Sequence, residues 1–294
     1  MMVTNSPKFE IIGHRGNPGN PLNSRNIENT IESFEDAWRL GADGVELDAI
    51  LSNDGVLVVH HDDALGRVFR MPGTEEQKLV GEYTLDELVL GAGLNIEGLN
   101  LQSRGVNNTA LLESEAPFAA IPALSNIPIP QGKKLFLELK FINDKYDKDS
   151  AADRKYLEDL DTKAVEFIEQ KGLVDQISVL CFVPEALDRV KELNPKIVTA
   201  HNIYQGEASD SGRIKQLKQD FGFDIMNPPF EQATKAAIDN IHNEGLRTYP
   251  WIWKQSPEEE IAETIRLIED GADGSINNQV EAALKIRDKY SVRI

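Results

Sequence analysis

The 294-residue chain holds a single cysteine, Cys181. No intrachain disulfide can form, so cysteine usage carries no sign of an oxidising compartment. Cys181 lies in the apolar run ISVLCF and reads as a small buried hydrophobe rather than a nucleophile. Basic residues are few beside acidic ones, 31 against 49, giving a formal net charge of −18. That balance excludes the basic footprint that nucleic acid demands and weakens docking on anionic membranes. No stretch reaches the roughly 18 consecutive apolar residues of a membrane span. The opening MMVTNSPKFE lacks a basic start followed by an apolar run, so no signal peptide is visible and a soluble cytoplasmic protein is expected. Sequence repeats and low-complexity tracts are not evident. Hydrophobic residues make up 40% of the chain, enough for a sizeable core.

Eight short apolar runs qualify as strands: FEIIGH, GVELDAI, LFLELKF, QISVLCF, KIVTAHN, FDIMN, RTYPWIW and GSIN. Segments of helical period lie between most of them. NTIESFEDAWRL places Ile31, Phe34, Ala37 and Trp38 on one face. A long helix is expected to stop at Gly172, and Ser256 with Pro257 and the following glutamates makes a good helix start. Strand and helix alternating eight times predicts a single α/β domain over 1–294, a closed (β/α)8 barrel, with a doubly wound open sheet as the competitor. The alternation fails between about Gly66 and Lys133, where glycine, proline and asparagine are frequent. Residues 66–133 therefore read as an insertion, a small subdomain or a lid, on the same end as the loops that carry chemistry.

The strands themselves carry charge in odd places. Residues two apart on a strand share a face, so Glu46 and Asp48 point one way and Val45, Leu47 and Ala49 the other. Asn53-Asp54-Gly55 signals a tight hairpin that folds VLVVH back beside GVELDAI. In LFLELK, Leu135, Leu137 and Leu139 suit the helix ring, leaving Phe136, Glu138 and Lys140 inside the barrel. An inward carboxylate is costly unless paired or bound to a cation. Buried ion pairs with Arg15 and Lys140 are one solution. Three carboxylates on two strands with histidines nearby favour the other, a metal site for a hard divalent cation: magnesium, calcium or manganese. Of the five histidines, His14 ends the first strand and His60 and His61 end the hairpin. Adjacent strand residues face opposite ways, so at most one of His60 and His61 readily joins the Glu46 side. His201 could line the mouth, and His242 reads as a helix-end residue.

The order GHRG, then IENT, then GADGVELD, a strand, an Asp-Gly turn and HDDALGR resembles the glycerophosphodiester phosphodiesterase family over about 55 residues. Later stretches YTLDEL, IPALSNI, LFLELK and WIWKQSPEEEIAETIRLIEDGADGSINN are similar as well. The resemblance implies a TIM barrel with a small insertion after the hairpin. It implies Glu46, Asp48 and Glu138 as ligands of one divalent cation, Mg2+ or Ca2+ with Mn2+ as a further option. It also implies His14 and His61 as the acid–base pair, Arg15 and Lys140 as phosphate-binding residues, and His60 left to packing. Two imidazoles suit the reaction, because one proton must leave the attacking hydroxyl and another must reach the departing alkoxide.

Weaker expectations surround this set. Asn29 is either a helix cap or a support for the site, and Glu28 a support for Arg15 or the metal. Trp251 and Trp253 share a strand face and either line the substrate pocket or pack the core. The chain departs from the family pattern at Asn277-Asn278, where Thr-Asp is usual, and at Trp251-Ile252-Trp253-Lys254, where Trp-Thr-Val-Asn is usual. These changes touch the part of the pocket that faces the alcohol portion of the substrate. The expected partner is a small glycerophosphodiester, without nucleic acid or stable membrane insertion. The oligomeric state is not legible. Two other functions share the scaffold: a lysophospholipase D, with FAAIPALSNIPIP covering an acyl chain, and a phosphodiester-binding barrel without turnover.

Overall fold

The computed structural model describes residues 8–19, 26–73, 77–94, 121–141, 145–204, 206–253 and 256–291. In chain order the strands are β1 Glu10–Gly13, β2 Gly44–Leu51, β3 Leu57–Val59, β4 Phe69–Arg70, β5 Gly93–Leu94, β6 Lys134–Leu139, β7 Ile177–Cys181, β8 Val198–Asn202, β9 Ile225–Asn227 and β10 Gly274–Asn277. The helices are α1 Ile31–Leu40, α2 Leu85–Gly91, α3 Ala151–Gln170, α4 Pro184–Leu193, α5 Ser211–Phe221, α6 Lys235–Asn243, α7 Pro257–Asp270 and α8 Val280–Ser291.

One parallel sheet runs in the order β10, β1, β2, β6, β7, β8, β9. Residues 247–251 occupy the remaining gap. Arg247 bridges Ile225, and Trp251 bridges both Pro229 and Ile276. Backbone bonds from Met226 to Arg247 and from Ile276 to Pro250 join this stave to its neighbours. All eight strand runs expected from the pattern therefore fall on successive staves. Helix α8 and the short α2 were not among the expected helices. The helix faces match their spacing: Phe34, Ala37 and Trp38 are buried on α1, and Ser256 caps α7 through its hydroxyl. After α3, Gly172 has the left-handed φ of 67° expected of a helix stop.

Alternation along each stave sorts the side chains. Val45, Leu47, Ala49, Leu135, Leu137 and Leu139 join the shell between barrel and helices. Ile12, Phe136, Leu180, Ala200, Ile225, Tyr249 and Ile276 form a separate cluster inside the barrel. Aromatic contact between Phe136 and Tyr249 at 5.0 Å fills this plug, which closes the lower end of the barrel and leaves the upper end to polar groups.

The tetrapeptide Gly-Ala-Asp-Gly occurs twice, at 41–44 and 271–274, and does the same work each time. Gly41 and Gly271 end α1 and α7 in the left-handed conformation. Asp43 then accepts the backbone N–H of Ile11 at 2.9 Å, and Asp273 that of Thr248 at 2.8 Å. Asp224, before β9, does likewise for Thr199 at 2.9 Å. Each aspartate ties the foot of its own stave to the stave before it.

Within 66–133, the described residues lie in 66–73, 77–94 and 121–133. Leu65, Val68, Phe69, Val80, Tyr83, Leu88 and Ile121 gather with Ile50 and Val58 in a second small core beside the hairpin. The expectation for 95–120, including the start of FAAIPALSNIPIP, lies outside the described residues.

One buried carboxyl has no role in the site. Asp161 on α3 is fully buried, and neither oxygen has a hydrogen-bond partner. Burial pushes it up to about 8, with the charge of Arg189 on α4 opposing only in part. The folded state thus holds its proton over a range where the unfolded chain has lost it, so stability falls as pH rises from about 4 to about 8. Asp161→Asn is expected to match the parent in thermal denaturation near pH 4 and to exceed it at pH 8.

Candidate active site

The site grows from the register of two strands. Asp48 on β2 lies directly opposite Glu138 on β6, and Glu46 sits two residues earlier on the same inner face. One carboxylate oxygen from each of Glu46, Asp48 and Glu138 lies within 4.8 Å of the others, and all three side chains are buried. The hairpin then brings a histidine over them. β3 pairs antiparallel with the end of β2, and the His60 N–H bonds to Asp48 O at 3.1 Å. The next residue, His61, lines the cavity at the barrel mouth with His14, Arg15, Glu46, Glu138 and Lys140. His60 turns the other way and packs edge-on against Phe69 at 6.1 Å.

The turn after β1 is shaped to deliver Arg15. A Cβ at Gly16 would stand 2.4 Å from Ser33 Oγ, and Gly16 has φ of +91°, so only glycine fits there. Arg15 itself has φ of 53°, which aims its N–H at Glu46 Oε2, 2.9 Å away. Its guanidinium bonds to Glu28 at 2.8 Å and lies 3.3 Å from Asp48 Oδ2. Thr30 takes the helix cap, which frees Asn29 for the site. Asn29, also left-handed at φ 58°, donates to Asp48 Oδ2 at 2.8 Å. Glu28 is held between Arg15 and Arg67, and Arg67 also grips Asp62, whose Oδ1 meets His61 Nδ1 at 2.8 Å. Lys140 bonds to Glu138 at 2.8 Å and stands 3.9 Å from Asp48. On the far side, His14 Nδ1 faces Asn278 Oδ1 at 2.9 Å, and its Nε2 is 4.0 Å from Glu46.

Two elements were invisible to sequence reasoning. Asn202 on β8 donates to Glu138 Oε2 at 2.9 Å, and Asn227 on β9 donates in turn to Asn202 at 3.2 Å. Their only signal was position: each ends a strand, two residues after an inward apolar residue. Arg67, quoted within HDDALGR, had no assigned role. Conversely His201 does not line the mouth. Its ring packs on Phe223 and meets Cys181 O at 3.3 Å, because it alternates with the inward Asn202. His242, at the end of α6, bonds Asp273 at 2.9 Å. Trp251 and Trp253 both line the cavity.

The electrostatics are unbalanced in one direction. Glu28, Glu46, Asp48, Asp62 and Glu138 supply five carboxylates against three permanent cations, Arg15, Arg67 and Lys140. Counted with every carboxyl ionised and the imidazoles left out, the excess is two negative charges. Burial, together with the charges of Asp48 and Glu138, pushes Glu46 well above the usual carboxylate range. Burial acts the same way on Asp48, but the charges of His61, Arg15 and Lys140 and the Asn29 amide overcome it and hold Asp48 low. Burial and the neighbouring Arg15 push His14 down to about 3. The three carboxylate oxygens are a hard donor set, so the triad could hold a hard divalent metal ion.

Known proteins are similar to this chain over most of its length. Residues 14–282 match the glycerophosphoryl diester phosphodiesterase family. A glycerophosphodiester phosphodiesterase of Caldanaerobacter subterraneus is 24% identical over 281 residues, covering 95% of this chain and 98% of that protein. The fold superposes on a crystal structure from Silicibacter pomeroyi with a TM-score of 0.74 at 21% identity, covering 97% of this chain and 95% of that one. It also superposes on an Oleispira antarctica phosphodiesterase solved with the product sn-glycerol-3-phosphate, with a TM-score of 0.70 at 21% identity over 96% and 97% of the two chains. This chain belongs to the glycerophosphoryl diester phosphodiesterase family, hydrolases of glycerophosphodiesters.

Asn29 couples backbone strain to the charge cluster, and two substitutions separate these contributions. Asn29→Ala is expected to lose about 2–4 kcal/mol of stability, from the lost bond to buried Asp48 and from the left-handed backbone. Asn29→Gly keeps the bond loss but relieves the backbone, and is expected to lose about 1–3 kcal/mol, as read by urea denaturation.

Proposed function

We propose that the protein hydrolyses glycerophosphodiesters to an alcohol and glycerol 3-phosphate with one divalent cation, Mg2+, Ca2+ or Mn2+, held by Glu46, Asp48 and Glu138. The reading is carried by one observation: three buried carboxylates converge within 4.8 Å, and two of them, Glu46 and Glu138, line a cavity of about 370 Å3 together with His14 and His61. When bound, the cation supplies positive charge to the phosphate as negative charge builds on its oxygens.

The other roles fall to the chain's own side chains. Arg15 is fixed at its backbone by Glu46 and at its guanidinium by Glu28, so it meets phosphate oxygens without reorganising. Lys140 adds a second positive charge beside the triad. The two histidines differ in their partners. His14 donates from Nδ1 to the neutral Asn278 oxygen, which leaves the Nε2 lone pair facing the site. Burial and Arg15 keep that ring uncharged, which suits it to take the proton of the attacking hydroxyl. His61 rests on the Asp62 carboxylate, itself anchored by Arg67. Held by Asp62 at the cavity wall, His61 is placed to deliver a proton to the leaving alkoxide.

Release of glycerol 3-phosphate from glycerophosphocholine is the direct assay. Activity is expected to vanish after thorough chelation and to return with a divalent cation. His14→Asn and His61→Asn are each expected to lower kcat by roughly 10²–10⁴-fold with circular dichroism unchanged. Undiminished turnover in the chelated protein or in Glu46→Gln would sink the proposal.

A further inference from the structure

The cavity at the barrel mouth has two unlike arcs. Charged and ligating groups come from β1, β2 and β6. The opposite arc is aromatic: Phe182 follows β7, Tyr204 follows β8, and Trp251 and Trp253 belong to the 247–251 stave and its exit. Phe182 and Tyr204 stack at 4.3 Å with only 20° between their planes. Trp251 stands edge-on to Phe182 at 6.4 Å. Tyr204 and Trp253 are each 52% exposed, although large aromatic rings usually lie buried. Core packing does not account for them.

The aromatic arc opens into a second chamber of about 610 Å3 that shares Tyr204, Trp251 and Trp253 with the first. Its only charged residue among the described lining residues is Glu231. A chamber lined by three aromatic side chains and one carboxylate among its described residues suits a cation of low hydration. It is unsuited to an anionic group. The arc already has one such contact, since the Lys140 ammonium lies 5.9 Å from the Phe182 ring centre. A purely apolar occupant would gain nothing from Glu231.

We propose that this arc is the leaving-group subsite and that it takes a quaternary ammonium head group, so that choline-type diesters are preferred over neutral ones. The assignment deepens the phosphodiesterase reading and rests on it for its kinetics. Trp253 and Tyr204 present ring faces to the methylated nitrogen, and Glu231 adds long-range attraction. Phosphate and cation then occupy opposite arcs of one mouth, at a separation set by the diameter of the barrel.

Two measurements test it. First, kcat/KM is compared for glycerophosphocholine and for its uncharged isostere, the 3,3-dimethylbutyl ester of glycerophosphate. The parent enzyme is expected to favour the cationic ester about tenfold, the size of two partly exposed cation–ring contacts. In Trp253→Leu and in Glu231→Gln the ratio is expected to fall at least threefold. Equal rates on both esters, faster hydrolysis of glycerophosphoserine, or a preference for lysophosphatidylcholine that Trp253→Leu abolishes would each overturn the assignment. Second, tetramethylammonium chloride is titrated against tryptophan fluorescence at constant ionic strength. Saturable quenching in the parent, absent in Trp253→Leu, supports the subsite without any turnover, and its absence in the parent counts against it. If no diester is cleaved at all, the hydrolase reading falls while this titration still decides the subsite.

Discussion

Three buried carboxylates forced together at the barrel mouth are the constraint around which this molecule is arranged. Asp48 and Glu138 are register partners on adjacent parallel strands, and Glu46 shares their face. Their repulsion cannot be relieved by moving apart, because the hydrogen-bond ladder fixes the spacing. It is relieved by donors brought from every side. Arg15 comes from the first stave, Asn29 from the turn before α1, Lys140 from the end of β6 and Asn202 from β8. The donors stop short of neutrality, so the cluster could hold a cation.

Holding such a cluster requires a stiff frame. The apolar plug around Phe136 and Tyr249 fills the barrel below it. The aspartates before β2, β9 and the final stave lock neighbouring staves at their feet. Among the described residues, the left-handed non-glycine backbones lie at the rim, at Arg15 and Asn29, where hydrogen bonds to the carboxylates offset their strain.

Most of the architecture was legible in the sequence because two simple periods carry it. Alternation by two identified the inward faces of GVELDAI and LFLELK, and the 3.6-residue period marked α1 and α3 to α7. What escaped depends on contacts distant in sequence. The Gly-Ala-Asp-Gly pair passes unnoticed until each aspartate is seen to reach a neighbouring strand. Asn202 and Asn227 are ordinary strand-end residues until Glu138 is placed beside them. The choice between His60 and His61 could be framed from alternation, but only the hairpin register shows which ring faces the carboxylates. Asn278 had been noted as a departure from a familial aspartate. Its contact with His14 emerges only in the fold, where the neutral amide oxygen of Asn278 meets the Nδ1 of that imidazole.

The division of the mouth into a charged arc and an aromatic arc has a consequence for how such enzymes diverge. On the proposed subsite, most of the charged groups come from β1, β2 and β6 and the aromatic rings from segments after β7, β8 and the 247–251 stave, with Asn202 of β8 and the Lys140–Phe182 contact linking the two. Selection can rewrite Tyr204, Trp253 or Glu231 while the ionic cluster stays untouched. A lineage on this scaffold can therefore change its diet without relearning its reaction.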